Sequence, residues 1–163
     1  MQRNSETKNL EKRVLIFPAQ IPKVLNRQGY FLFSLRQMED ILTDAPVRPV
    51  PFSPAHLEGM AEWRGHILPV ISMEAWLGFE FLNTQKVQRL MVVRAAQNGT
   101  VQKNVDRLML QVIPPIQMLT LPIECFPASD DWIPESYLAK GVYEWENKFL
   151  VAVHIENILG GGN

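Results

Sequence analysis

A chain of 163 residues can build one well-buried domain, or two small subdomains sharing a core, and is too short for two ordinary enzyme domains. Apolar residues at 47% and charged residues at 20% fit a folded globular protein; 16 Lys+Arg against 17 Asp+Glu leave a net charge of −1, excluding the basic field that draws proteins to nucleic acid or anionic lipid. The one cysteine, Cys125, excludes an intrachain disulfide and a multi-cysteine zinc site.

Residues 1–12 are polar, lack the apolar run of a secretory signal and read as a flexible tail ahead of a single domain over 13–160. Strand-length apolar runs follow at Val14–Phe17, Tyr30–Phe33, His66–Ile71, Leu90–Val93, Leu108–Ile113 and Phe149–Val153, several rich in Val and Ile. Prolines cluster at Pro46, Pro49, Pro51 and Pro54 and again from Pro114 to Pro134, which excludes long helices there. Three short helices are predicted. Leu35–Leu42 carries a 3.6-period stripe, Ser53–Trp63 opens with Ser53 as N-cap and Pro54 as first helical residue, and Ile155–Leu159 is halted by Gly160–Gly162. Asn98-Gly99 and, more weakly, Glu146-Asn147 have the chemistry of two-residue hairpin turns. The connection over Gln20–Gly29 is long for a simple turn, and no internal repeat stands out at a solenoid period. The expected class is all-β with short helices, and no apolar window approaches the ~20 residues that span a bilayer, so a cytoplasmic location is expected.

Residues able to carry chemistry are scattered. His56, His66 and His154 lack the spacing of metal ligands, and Ser72 has no nucleophile elbow. Glu58 and Glu62 read as a solvated pair and the glycines cradle no phosphate. Neither catalysis, a metal nor a cofactor is expected. Trp63, Trp76, Trp132 and Trp145 read as packing residues, with an aromatic sugar platform as the remote alternative.

Residues 50–77 resemble the central signature of CheW-like domains. Pro51, Pro54, Gly59, Arg64, Gly65, Leu68, Pro69, Val70 and Ile71 stand at the matching positions of the family's short helix ending in Gly-x-x-Asn-Leu-Arg-Gly and of the Leu-Pro-Val-Ile strand that follows it. The segments Met38–Ile41, Asn104–Leu108 and Tyr137–Leu159 fit the same template, so the resemblance covers about residues 13–159. Glu62, Trp63 and Ser72 replace the usual Asn, Leu and Asp, and His154 stands where an Asp is common.

The resemblance implies two small five-stranded SH3-like β-barrel subdomains packed together. It also implies a non-enzymatic adaptor that couples the cytoplasmic tip of transmembrane chemoreceptors to the regulatory domain of a CheA-type histidine kinase. Carried over by position, Met38, Asp40, Leu57, Gly59, Arg64, Val105 and Asp106 fall near a receptor-facing groove, and His66 and Ile67 on a kinase-facing barrel. The altered residues motivate a second reading, a diverged scaffold serving another two-component or motility system with different partners.

Overall fold

The computed structural model describes residues 13–79, 89–95, 106–153 and 155–159. The expected tail over 1–12, the Asn98-Gly99 turn, Val105, His154 and the closing glycines lie outside them. Within the described residues the chain is mostly β. It runs β1 (Arg13–Ala19), β2 (Gly29–Ser34), β3 (Met38–Leu42), β4 (Leu57–Trp63), β5 (His66–Ile71), α1 (Met73–Trp76), β6 (Arg89–Arg94), β7 (Arg107–Val112), β8 (Gln117–Thr120), β9 (Phe126–Pro127), β10 (Ala139–Trp145), β11 (Lys148–Val153) and α2 (Ile155–Leu159). Each of the six apolar runs read as a strand falls in one, the run over Leu108–Ile113 ending a residue early.

Two sheets form, with orders β8-β1-β2-β11-β10-β9 and β3-β6-β7-β5-β4. One has the five strands expected and the other adds the two-residue β9. The chain begins in the first sheet, builds the second, and returns. The two sheets share one plan: an antiparallel hairpin (β10–β11 or β4–β5), a parallel step (β11 to β2 or β5 to β7), then two antiparallel steps. The first sheet is the second circularly permuted, with β1 and β2 as counterparts of β6 and β7. A short helix follows each hairpin, and an edge pairing caps each first hairpin strand, by β9 on β10 and by an isolated Arg48–Met60 bridge on β4.

Side chains alternate between faces of a strand, and that alternation builds two cores. Leu15, Phe17, Phe31, Phe33, Val151 and Val153 from the first sheet meet Ile71, Met91, Val93, Leu108 and Leu110 from the second in one shared core. The intervening residues Leu90, Val92 and Met109 face the other way, onto Ala61, Trp63 and Val70. β6 and β7 are thus covered on both sides, which is why they read as unbroken apolar runs. Phe17 stacks on Phe33 with centroids 5.5 Å apart and tilts against Phe31 at 5.6 Å, within the range where aromatic pairs add to simple burial.

Two of the three predicted helices are strands. In Leu35–Leu42 only Leu35–Gln37 turns, as a 3₁₀ segment whose first N–H groups are served by Ser34, its hydroxyl oxygen accepting from the Arg36 N–H at 3.3 Å. Met38–Leu42 then pairs with β6, and the edge of a buried sheet outweighs a weak helical stripe. In Ser53–Trp63 the helical pattern of Leu57, Met60 and Ala61 coincides with a period-2 pattern of Gly59, Ala61 and Trp63, and the strand pattern is the one buried. Ser53 caps no helix; its hydroxyl donates to the Leu57 carbonyl at 3.4 Å. Gly59 sits at a bulge with φ of +154°, where a Cβ would collide with the Arg48 carbonyl. Glycine is required there.

Candidate functional site

The β4–β5 hairpin closes through Trp63-Arg64-Gly65-His66, with Trp63 paired to His66 and positive φ at Arg64 (48°) and Gly65 (79°). Positive φ at both central residues is the type I′ geometry that matches strand twist. Arg64 is therefore exposed at a hairpin tip, not at the end of a helix as the sequence suggested. Its guanidinium carbon lies 4.8 Å from the Trp63 ring centroid.

Trp63 is buried, and its indole N–H donates to the Asp40 carboxylate at 2.9 Å. Asp40 belongs to β3 and Trp63 to β4, the two opposite edges of the five-stranded sheet. That hydrogen bond and the Arg48–Met60 bridge, whose N–H···O distances are 2.8 and 2.9 Å, draw the edges together and curl the sheet. The Trp63 N–H holds the Asp40 carboxyl below its ordinary range, helped by the Ile41 N–H at 2.8 Å and by the charge of Arg64. Donors aimed at a carboxylate favour its charged form.

A bulge in β3 sets this up. Met38 opposes Val93 and Asp40 opposes Val92, so Glu39 is the extra residue. A bulge re-aims side chains, and Glu39 reaches Arg107, whose Nε donates to it at 2.7 Å, and lies 3.7 Å from Arg94. Arg94 and Arg107 sit directly opposite on β6 and β7, a like-charge pairing that costs stability unless neutralised. Glu39 neutralises it. The Arg107 guanidinium also lies 5.4 Å from the Trp63 centroid. One face thus carries Asp40, Arg64, Glu39, Arg94 and Arg107 around a single indole, and cations near a tryptophan face gain about 0.5–1 kcal/mol each at exposed sites.

Of the residues predicted for receptor contact, Asp40 and Arg64 are brought together here. Asp106 is exposed just ahead of Arg107, its carbonyl accepting from the Ala95 N–H at 3.2 Å. Met38 and Leu57 are half-buried against the shared core. Gly59 is internal and supplies backbone geometry. His66 and Ile67 are exposed on β5, and Ile67 at 70% exposure leaves a branched apolar side chain in solvent. Phe52, fully exposed, was not singled out from the sequence.

The altered residues have distinct fates. Ser72 is buried and caps α1, its hydroxyl oxygen accepting from the Ala75 N–H at 3.3 Å, a role serine and aspartate both perform well. Glu62 is exposed. Trp63 organises the cluster, and sequence reasoning missed it along with Glu39 and Arg107. A signal existed. Aligning the two hairpins through the fold matches Gly59 to Gly141, Glu62 to Glu144, Trp63 to Trp145, Leu68 to Leu150, Glu74 to Glu156 and Leu77 to Leu159, without a gap.

Under the other end of this unit lies a buried acid. Glu74 on α1 accepts from the Gln20 N–H at 3.2 Å, tying α1 to the end of β1, and burial raises its carboxyl above the usual range despite that donor. No group of His, Cys, Asp and Glu among the described residues could hold a metal ion. None of their helices is long and apolar enough to cross a membrane.

Two sheets on one permuted plan, with a polar cluster on an edge hairpin, define a mainly β fold. A CheW-like domain model matches residues 24–161, and the chain belongs to the CheW-like domain family. It is similar to the chemotaxis protein CheW of Thermotoga maritima, at 24% identity over 127 residues and 78% of each chain. In fold it is similar to the scaffolding protein TtCheW of Thermoanaerobacter tengcongensis, with a TM-score of 0.65 at 16% identity over 89% of this chain and 85% of that one. The family is one of scaffold adaptors, not enzymes.

Proposed function

We propose that this chain is a cytoplasmic coupling adaptor that bridges the cytoplasmic tip of a chemoreceptor and the regulatory domain of a CheA-type histidine kinase. The receptor, a helical hairpin, docks on the Trp63 face through Asp40 and Arg64, with Met38, Leu57 and Asp106 at its margin. The kinase docks on the exposed start of β5, at His66 and Ile67.

The observation that carries this reading is the fixing of Asp40 and Arg64, from opposite edges of one sheet, by the same indole. A positioned carboxylate beside a positioned guanidinium recognises a partner of matching charge order and rejects the reverse order. Receptor state then reaches the kinase by changing which contacts are made, and coupling of this kind is worth about 1–3 kcal/mol.

Titration of the purified chain with a receptor cytoplasmic tip and, separately, with a kinase regulatory domain tests the assignment. Saturable binding of both is expected, and binding of neither would overturn it.

A further inference from the structure

A groove of about 1130 Å³ opens between the long β1–β2 connection, the end of α1 and the segment around Trp132. It contains none of the residues assigned above to receptor or kinase. One wall is the Gln20–Gly29 segment that the sequence marked as too long for a turn. That segment is held in place: its 3₁₀ turn closes with Leu25 N–H to Pro22 O at 3.1 Å and Asn26 N–H to Lys23 O at 3.0 Å. Ile21 and Leu25 pack on the shared core, and the Ile21 side chain occupies the space over Gly29 where a Cβ would stand, at 2.7 Å. The Phe149 N–H donates to the Gln28 carbonyl at 2.9 Å, and Arg27 pairs with Glu144 while lying 5.1 Å from the Phe149 ring.

The opposite wall is equally fixed. Trp132 stacks on Phe79 at 5.9 Å and tilts on Phe149 at 5.3 Å, and its indole N–H donates to the Ser129 carbonyl at 3.0 Å. The Glu135 N–H donates to the Leu77 carbonyl at 3.0 Å, binding this segment to the end of α1. A preformed concave surface with an aromatic wall suits a binding site, since the protein side has little left to order on association.

Its charge selects the occupant. Lys23 and Arg27 line the groove, and among its described lining residues there is no carboxylate. Arg27 is committed to Glu144, whereas Lys23 is exposed with no ion pair among the described residues. We propose that this groove is a second docking site, for an acidic peptide segment of a partner protein that places an aromatic or branched apolar side chain against Trp132 and a carboxylate on Lys23. Because its lining includes Phe79 and Ile113 from the second sheet's side and Pro22 and Trp132 from the first's, an occupant touches both units of the fold.

The test is nuclear magnetic resonance of the full chain, following the Trp132 indole N–H. The probe is a synthetic peptide of about twelve residues alternating Glu or Asp with Leu and Phe, compared with a copy carrying Lys at every acidic position. The acidic peptide is expected to shift the Trp132 signal saturably, the lysine copy and the Lys23→Glu variant to bind about tenfold more weakly or worse, and Arg64→Ala to bind unchanged. The proposal is overturned if no saturable shift occurs, if both peptides bind alike, if Arg64→Ala abolishes the shift, or if the signal moves with protein concentration alone, which would assign the groove to a second copy.

Discussion

The two sheets carry the same hairpin, and put it to different uses. At one end stands Trp63-Arg64-Gly65-His66 and at the other Trp145-Glu146-Asn147-Lys148, each with positive φ at both central residues and each with a cation over the tryptophan, Arg64 at 4.8 Å and Lys148 at 5.1 Å. Each hairpin has a glycine at a bulge in its first strand, Gly59 and Gly141. Yet Trp63 is buried and bonded to the opposite edge of its sheet, while Trp145 is half-buried. The tips carry opposite charge, Arg64 against Glu146. A shared backbone device thus supports one organised cluster and one plain turn, and side chains outside the hairpin, above all Asp40 and Glu39, make the difference.

The largest expected effect separates the two glycines. Gly59→Ala puts a Cβ into the Arg48 carbonyl at a positive φ, and a collision with backbone there costs about 3 kcal/mol or more, lowering the melting temperature by roughly 6–12 °C. Gly141→Ala meets only the Tyr143 side chain, at 2.9 Å, and should cost less than about 1 kcal/mol. Thermal melts of the pair read the contrast directly, and equal losses would show that the bulges are equivalent.

Next come the tryptophans. Trp63→Phe removes the donor to Asp40 and should cost about 1–2 kcal/mol, against less than about 0.5 kcal/mol for Trp145→Phe. The Asp40 carboxyl is depressed in the folded chain, so its share of stability is present above its unfolded value and lost as pH falls through its folded one. The gap between wild type and Trp63→Phe should therefore narrow in acid, and carboxyl resonances should show Asp40 titrating higher in the variant.

Glu74 and its counterpart Glu156 give a third contrast. Glu74 is buried with a raised value, whereas Glu156 is exposed and accepts from the Gln37 side-chain amide at 3.2 Å. A raised carboxyl contributes stability below its unfolded value and loses it as pH rises through the folded one. Glu74→Gln should thus raise stability at pH 7 by about 1 kcal/mol, the gain vanishing below the ordinary value of 4.5. A gain for Glu74→Gln that does not vary with pH would mean the buried carboxylate stays ionised on its N–H donors.

Much of the fold was legible because strand-length apolar runs survive any topology. The Pro-Val-Ile strand and the Glu146-Asn147 turn rest on local chemistry, and local chemistry is visible in sequence. The two misread helices show the opposite case. Leu57, Met60 and Ala61 satisfy a helical period only as long as Gly59 and Trp63 are ignored, and what decides between periods is the pairing of this segment with β5, to which the Arg48 bridge adds an edge. Asp40 and Arg64 were named by resemblance, but their juxtaposition depends on a bulge at Glu39 and on sheet curvature, both non-local. The repeat linking Trp63 to Trp145 escaped notice because it is one permuted copy rather than a series, and only strand order supplies its alignment.

Arg64→Ala should have only a small effect on stability, about 0.5–1 kcal/mol from the lost stacking on Trp63, with circular dichroism unchanged. Its effect on binding is the most direct test of the account. Calorimetric titration of a receptor cytoplasmic tip into wild type, Arg64→Ala and Glu146→Ala should give about a tenfold or greater loss of affinity for the first variant and none for the second. Equal affinities for all three, or a loss confined to Glu146→Ala, would contradict the assignment of receptor docking to the Trp63 hairpin.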